Sequence, residues 1–498
     1  MEAKREVQFE SSEFVSLPSP PVPSRLLGRP ASSPSRPVPS LYILTPILPR
    51  GPREKGVAAE LEMDPEEGSK RACAADDSTD TVGLTAGWAD IPRELLPVVL
   101  SRLPCPVDRL RFSVVNKKWH GFLEQHRRDL HLPPLLPSLV LPSSSPEHPL
   151  VHVTQGGNTR RLGLPPDIKQ RASFCGSYQG GWFVLALDGP LDNRLFNIFS
   201  GVSIPMPTTT MVDGRARYIR VEAAALSGSP VLDPPYNYTI GAIARIQGND
   251  FSGIALWDPS KEHWTCIDWD LIPTHSLDIH DVVYSNGSFY FLNSYENMER
   301  IGAHPNREGV PPPPRLEIYV EKDWEIYDEE HPENMTVQRY LVNLGGMEED
   351  NPFLMVLKYQ DEPTQPTSSV RMFRLSEVDE PDAPEYPEDV EPRLHWHELD
   401  PSSKSDHEFF LEAKLIFIGR GCSRIFNASD FEDLDDKFRT GVSIFFYDDR
   451  GVEDQECFLR GDMGRFTLPE AQVEPWPPVG SQAIGPRSRK FPPTWWIH

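Results

Sequence analysis

A mainly β protein, with one small helical block near its front and a β-propeller of six or seven blades behind it, is the architecture this sequence predicts. Three observations point there. Beyond residue 150, short apolar or alternating runs recur, bounded by Gly, Asn, Asp and Pro, with no long helical pattern among them. About 350 residues of such runs are too many for one sandwich, whereas blades of roughly 40 to 50 residues divide them into six or seven. The 53 prolines among 498 residues, about twice the average usage, argue against a mainly helical chain.

Residues 1–86 are rich in Ser, Pro and Arg early and in Asp, Glu and Ala later, without sustained periodicity. They are expected to be a disordered leader. Glu2, Glu6, Glu10 and Glu13 speak against an organellar transit peptide, which avoids acids, and Met63 is a candidate translation start shortly before the first structured residue.

The segment 87–128 reads as helices. Asp90 can cap, Pro92 suits a first turn, and Leu95, Leu96, Val99, Leu100 and Leu103 recur at helical spacing. Pro97 conflicts with a helix already under way, at a cost of about 3 kcal/mol in an interior position, so the first helix must start late or kink. A second helix is expected after Pro106, with Asp108 near its start and Leu110, Val114 and Val115 on one side; Trp119, Phe122 and Leu123 continue or follow it. Residues 129–150 read as a Pro-rich connector and 151–498 as the strand domain. Within that domain, "GGWFVLALDGPLDNRLFNIFSG" and "GIALWDPSKEHWTCI" read strand, turn, strand, and "DVVYSNGSFYFLN" carries Asn286-Gly287, the strongest short hairpin signal. Two loops, 306–315 and the acidic 377–392, are expected as solvated excursions.

A formal net charge of −25 sets up a field that repels phosphate backbones and anionic lipid, so nucleic acid and membrane surfaces are not expected partners. Six dispersed cysteines with no C-x-x-C pair form neither a disulfide framework nor a zinc pattern, which fits a cytoplasmic or nuclear location. No G-x-S-x-G elbow, phosphate loop or H-E-x-x-H helix is present, and no cofactor or metal site is read from the chain. His395 and His397 stand two apart and could share a metal if they lie on a strand, but no third ligand is near and ordinary surface roles account for them. Arg460-Gly461-Asp462 reads as a turn, and the tryptophans as packing within the strand domain, with a partner-binding hot spot as the competing reading.

"WADIPRELLPVVLSRL" followed by "DRLRFSVVNKKWHGFL" resembles the F-box, through Ile91-Pro92, Glu94-Leu95-Leu96, Leu100, Leu103, Leu110, Phe112, Ser113, Val115, Lys118 and Trp119. The family usually has Leu-Pro at the start and Val-Cys before the basic-Trp pair; this chain has Ile91-Pro92 and Val115-Asn116. By composition alone the leucines would form a small core. Their order and spacing favour the resemblance, which implies docking on a Skp-type adaptor of a cullin–RING ubiquitin ligase through Ile91, Pro92, Leu95, Leu96, Leu100, Leu103 and Trp119. The remainder is similar to the plant KIB-type β-propellers in "GSYQGGWFVL", "LFNIFSGVSIPMP", "DVVYSNGSFYFLN", "LIFIGRGCSRIFNASDF", "SIFFYDD" and "FPPTWWI".

The pairing of the two resemblances implies a non-catalytic adaptor that tethers a protein substrate to the ligase. The alternative is a propeller scaffold that delivers nothing to a ligase, and a propeller hydrolase ranks last. The terminal Trp495, Trp496 and Ile497 are too apolar for a solvated tail and are expected to close the propeller, with an exposed substrate hot spot as the rival role.

Overall fold

Residues 91–496 are described in part by a computed structural model. Outside it lie 1–90, 497–498 and internal stretches, the longest being 127–134, 141–147, 268–277, 304–316, 321–335, 378–393, 448–461 and 477–493. The expected leader, Met63, Asp90, the loop 306–315 and all but the first residue of the acidic loop therefore fall outside the described residues.

The helical block opens with a 3-10 turn over Arg93–Leu95, followed by α1 (Leu96–Ser101), α2 (Pro106–Ser113) and α3 (Lys117–His126). Pro97 falls in the first turn of α1, where its missing N–H costs no intrahelical bond. The helix thus starts late at Leu96, one of the two resolutions that Pro97 permits. Asn116, which stands where the F-box pattern has cysteine, accepts the Trp119 backbone N–H at 2.9 Å through its side-chain oxygen and caps α3.

The strands adopt a propeller arrangement of mostly antiparallel sheets. The chain enters through β1 (Ser138–Val140), β2 (His148–His152) and β3 (Thr159–Leu162). A second sheet is β4 (Ala172–Tyr178), β5 (Trp182–Leu187), β6 (Asp192–Asn197) and β7 (Ser203–Met206). The third comprises β8 (Thr209–Val212), β9 (Arg215–Leu226), β10 (Ile240–Ile246), β11 (Ser252–Trp257) and β12 (Thr265–Cys266). In the fourth are β13 (Ile279–Ser285), β14 (Ser288–Asn293), β15 (Met298–Gly302) and β16 (Glu317–Val320). The fifth holds β17 (Thr336–Asn343), β18 (Phe353–Gln360), β19 (Ser369–Glu377) and β20 (Leu394–Glu398), and α4 (His407–Leu411) follows it. The sixth is β21 (Lys414–Phe417), β22 (Arg424–Asn427), β23 (Val442–Phe446), β24 (Gly464–Leu468) and β25 (Gln472–Pro475), in the order β22-β21-β23-β24-β25. Its β21–β23 pair is parallel. Finally β26 (Thr494–Trp496) returns to the first sheet and pairs with β1, giving the order β26-β1-β2-β3.

Hydrophobic clusters fill the space between each sheet and the next, and the last of them joins the sixth sheet to the first, so the ring closes. The closure is built from the terminal strand. Successive side chains of a strand point to opposite faces. Trp495 accordingly packs with Phe417, Tyr447 and Trp476 of the sixth-sheet cluster, while Trp496 packs with Phe174, Phe183 and Phe196 of the second. Both indoles are 0% exposed. The Ser177 hydroxyl donates to the Trp495 carbonyl at 2.6 Å and Trp495 Nε1 donates to the Ile418 carbonyl at 2.8 Å, so β26 is bonded to both neighbours.

The stretch read as a connector, 129–150, contains β1 and the beginning of β2, so the strand domain begins before residue 151. At the β13–β14 hairpin, Asn286 and Gly287 have φ of 45° and 85°, the left-handed pair that a two-residue type I′ turn demands. Gly421, at φ +68°, has its α-carbon so close to the backbone of β9 that an added Cβ would lie 2.6 Å from the Ala224 carbonyl oxygen.

Candidate functional site

Two regions carry chemistry that could serve a function: the surface of the helical block and the axis of the propeller. In the block, helical periodicity splits the apolar residues between two faces. Leu96 and Leu100, four apart, are 1% and 2% exposed, and Trp119 is 4% exposed and stacked on Phe112 at 4.3 Å. Leu95 and Val98, three apart, are 49% and 55% exposed, and Val115 is 61% exposed. Ile91 and Leu103 are half-buried and Pro92 is exposed.

Of the seven residues expected to face an adaptor, Leu96, Leu100 and Trp119 are therefore the core of the block. They offer no surface, and Trp119 ties α3 to α2 through its stacking on Phe112. Sequence reading missed Val98 as a surface residue; the i, i+3 step from Leu95 is the signal that could have found it. The block is tied internally by Arg109, whose Nε donates to the Leu103 carbonyl at 2.8 Å and whose guanidinium is pushed down by burial. Asp108 and Arg111 pair at 3.2 Å one turn apart.

Along the axis the sheets meet through β26, β4, β9, β13, β17 and β22. Asp281 on β13 is the junction. Its Oδ1 accepts the backbone N–H groups of Val282 at 2.8 Å and Gly421 at 2.7 Å, and its Oδ2 accepts Leu341 N–H at 2.8 Å, so one carboxyl joins three sheets. Burial pushes its pKa up to about 7 against the pull of those three donors. Next to it His280 is pushed down to about 3 by burial and by the Arg339 and Arg420 charges, and stays neutral in the folded chain. Arg420 donates to the His280 carbonyl at 2.9 Å and lies 4.0 Å from Glu222, which also pairs with Arg245 at 3.0 Å. Arg339 faces Glu296 at 3.4 Å, both nearly fully buried.

A cavity of about 160 Å³ opens on the axis, lined by residues from β4, β9, β13, β17 and the segment 421–424. The Cys175 and Cys422 thiols nearby are raised by burial to about 12 and about 11, which keeps them protonated and weakly nucleophilic.

The remaining sequence signals settle into structural roles. His397 Nε2 lies 3.1 Å from Asp406 Oδ1, His395 is exposed, and no group of three potential ligands occurs among the described residues. Asp462 of the Arg-Gly-Asp triplet is buried, where it receives Lys358 Nζ at 3.2 Å, Gln360 Nε2 at 3.1 Å and the Thr367 hydroxyl at 2.6 Å; its two partners in the triplet lie outside the described residues. Trp182, Trp257, Trp264 and Trp476 are buried, and Trp269 lies outside the described residues. Among the described residues no helix is long and apolar enough to cross a membrane.

A family model, the KIB1-4 beta-propeller, matches residues 150–467. No curated protein matches the chain. Among solved structures, a prolyl endopeptidase is 10% identical over 78% of this chain and 52% of its own, with a TM-score of 0.24. The major allergen Mala s 1 of Malassezia sympodialis is 8% identical over 59% of this chain and 85% of its own, at a TM-score of 0.21. The chain thus spans about half the length of the prolyl endopeptidase, and at these scores neither likeness bears on activity.

Proposed function

The chain belongs to the KIB1-4 beta-propeller family, and from that premise we propose that it is the substrate-capturing subunit of a Skp–cullin–F-box ubiquitin ligase in the cytoplasm or nucleus of a plant cell. The helical block, read as an F-box, docks on the Skp-type adaptor. The propeller, with each sheet counted as one of six blades, holds a protein substrate near the ubiquitin-charged enzyme and so raises its local concentration. The subunit contributes no bond chemistry of its own. The observation that carries this reading is the exposed apolar set Leu95, Val98 and Val115 over a core of Leu96, Leu100 and Trp119. Leu95 and Val98, one turn apart on the same helix face, offer the apolar surface that a docking partner would cover.

The test is co-purification of the full chain with a Skp-type adaptor and a cullin. The double variant Leu95→Asp, Val98→Asp replaces exposed residues only, so it should lose adaptor binding by at least about tenfold while its melting temperature stays within about 2 °C of the parent. Undiminished adaptor capture by this variant refutes the F-box assignment. Adaptor capture without a cullin favours a scaffold that delivers nothing to a ligase.

A further inference from the structure

We propose that the axial cavity is a binding site for a small oxyanion, a carboxylate or phosphate group held by Arg424 beside the phenols of Tyr178 and Tyr284. The cavity is built from inner-strand residues of five sheets, and its walls include Tyr178, Tyr284, Leu341, Gly421 and Arg424. At about 160 Å³ it holds several waters, or one ionic group with part of its hydration, and is smaller than the pockets that take drug-sized molecules.

Arg424 is the cation of this space. It is half-buried on β22, and Nη1 donates to the Ser423 carbonyl at 2.8 Å. No carboxylate pairs with it among the described residues, in contrast to Arg339 with Glu296, Arg245 with Glu222 and Arg465 with Glu474. An unpaired guanidinium drawn out of water is costly, and burial pushes its pKa below the ordinary arginine range.

Among the described residues, Asp281 is the carboxylate whose field acts on Arg424, and its two oxygens are already committed to three backbone N–H groups. The hydroxyls of Ser177 and Ser423 are committed as well, to the Trp495 and Gly419 carbonyls. The phenols of Tyr178 and Tyr284 have no hydrogen-bond partner among the described residues, and Tyr178 feels the charge of Arg424. The site therefore offers free N–H and O–H donors around a positive charge, inside a protein of net charge −25. An oxyanion is the ligand class that satisfies such a set, because charge-assisted bonds to a guanidinium are about twice as strong as neutral ones.

The oxyanion can come from a free small molecule or from an acidic side chain of a captured protein, and two titration arms separate these sources. Isothermal titration of the full chain at constant ionic strength uses inorganic phosphate in one arm and an end-blocked peptide with a single glutamate in the other. Saturable binding of at least one probe is expected, weakened about tenfold or more in Arg424→Gln and more modestly in Tyr178→Phe, Tyr284→Phe. The double phenylalanine variant keeps both rings and carries the test if Arg424→Gln fails to fold. Absence of saturable binding in both arms, or equal affinity in parent and variants, overturns the proposal. The measurement needs no adaptor or cullin, so its outcome is independent of the ubiquitin-ligase reading.

Discussion

Removing the terminal tryptophans should open the ring. In Trp495→Ala, Trp496→Ala each lost indole comes from a site with no exposure, and each occupies a different inter-sheet cluster, so neither cavity can be filled by collapse of the other. Truncating a buried tryptophan to alanine costs about 3–5 kcal/mol, and because the two are neighbours on one short strand their costs couple rather than simply add, the pair costing more than either alone. Trp495 adds the loss of its hydrogen bond to Ile418, which leaves a buried carbonyl unpaired at about 1–3 kcal/mol. Against a total stability of about 5–15 kcal/mol, the double variant should be unfolded or aggregated at 37 °C. The single variant Trp496→Ala should lower the melting temperature by roughly 8 °C, at about 2 °C per kcal/mol for a domain of this size. Thermal unfolding followed by far-UV circular dichroism reads both. A double variant that melts within about 2 °C of the parent yet fails to bind its partner would refute the closure argument and restore the tryptophans as a contact surface.

Acid stability should carry the mark of His280. The folded chain keeps it neutral down to about pH 3, whereas the unfolded chain protonates it near its ordinary value of 6.5, so the unfolded state gains protons as pH falls below about 6.5 and the folded state loses stability there. Asp281, raised to about 7, works the opposite way between pH 7 and its ordinary value of 3.8 and masks part of the loss in the parent. His280→Gln removes the first effect alone, so the variant should gain on the parent by up to about 2 kcal/mol between pH 7 and pH 5; a difference in melting temperature that does not change with pH contradicts this. Pro97→Ala should leave the melting temperature within about 2 °C of the parent and adaptor capture unchanged, because Pro97 occupies the first turn of its helix. A large change in either would place the proline in the helix interior.

Much of the fold was legible because its signals are local. Asn286-Gly287 announced a hairpin whose turn geometry only such residues adopt easily, and Pro97 forced a late start that the 3-10 turn before Leu96 provides. The apolar end "TWW" announced burial that pairing with β1 supplies. What sequence missed depends on partners far along the chain. β1 is three residues in a proline-broken run, and it becomes the inner part of a sheet only by pairing with β2 on one side and, more than 350 residues later, with β26 on the other. Asp281 looks like any strand aspartate until Leu341 and Gly421, 60 and 140 residues away, bring their amides to it. At the helical block the sequence did not separate the buried face from the exposed one, and it left out Val98. A stripe of leucines does not say which side meets a partner, and here Leu95 and Val98 point out where Leu96 and Leu100 point in.

The pairing of β26 with β1 also fixes when the ring can form during synthesis. β3 ends at Leu162 and β26 begins at Thr494, so at about 5–20 residues per second roughly 17 to 66 seconds separate their emergence from the ribosome. Through that interval β1 presents a bare hydrogen-bonding edge, the feature of a nascent chain most open to pairing with a neighbour. A chaperone that shields this edge, or translation that hastens the last third of the message, would raise the yield of closed rings without changing the stability of the finished protein.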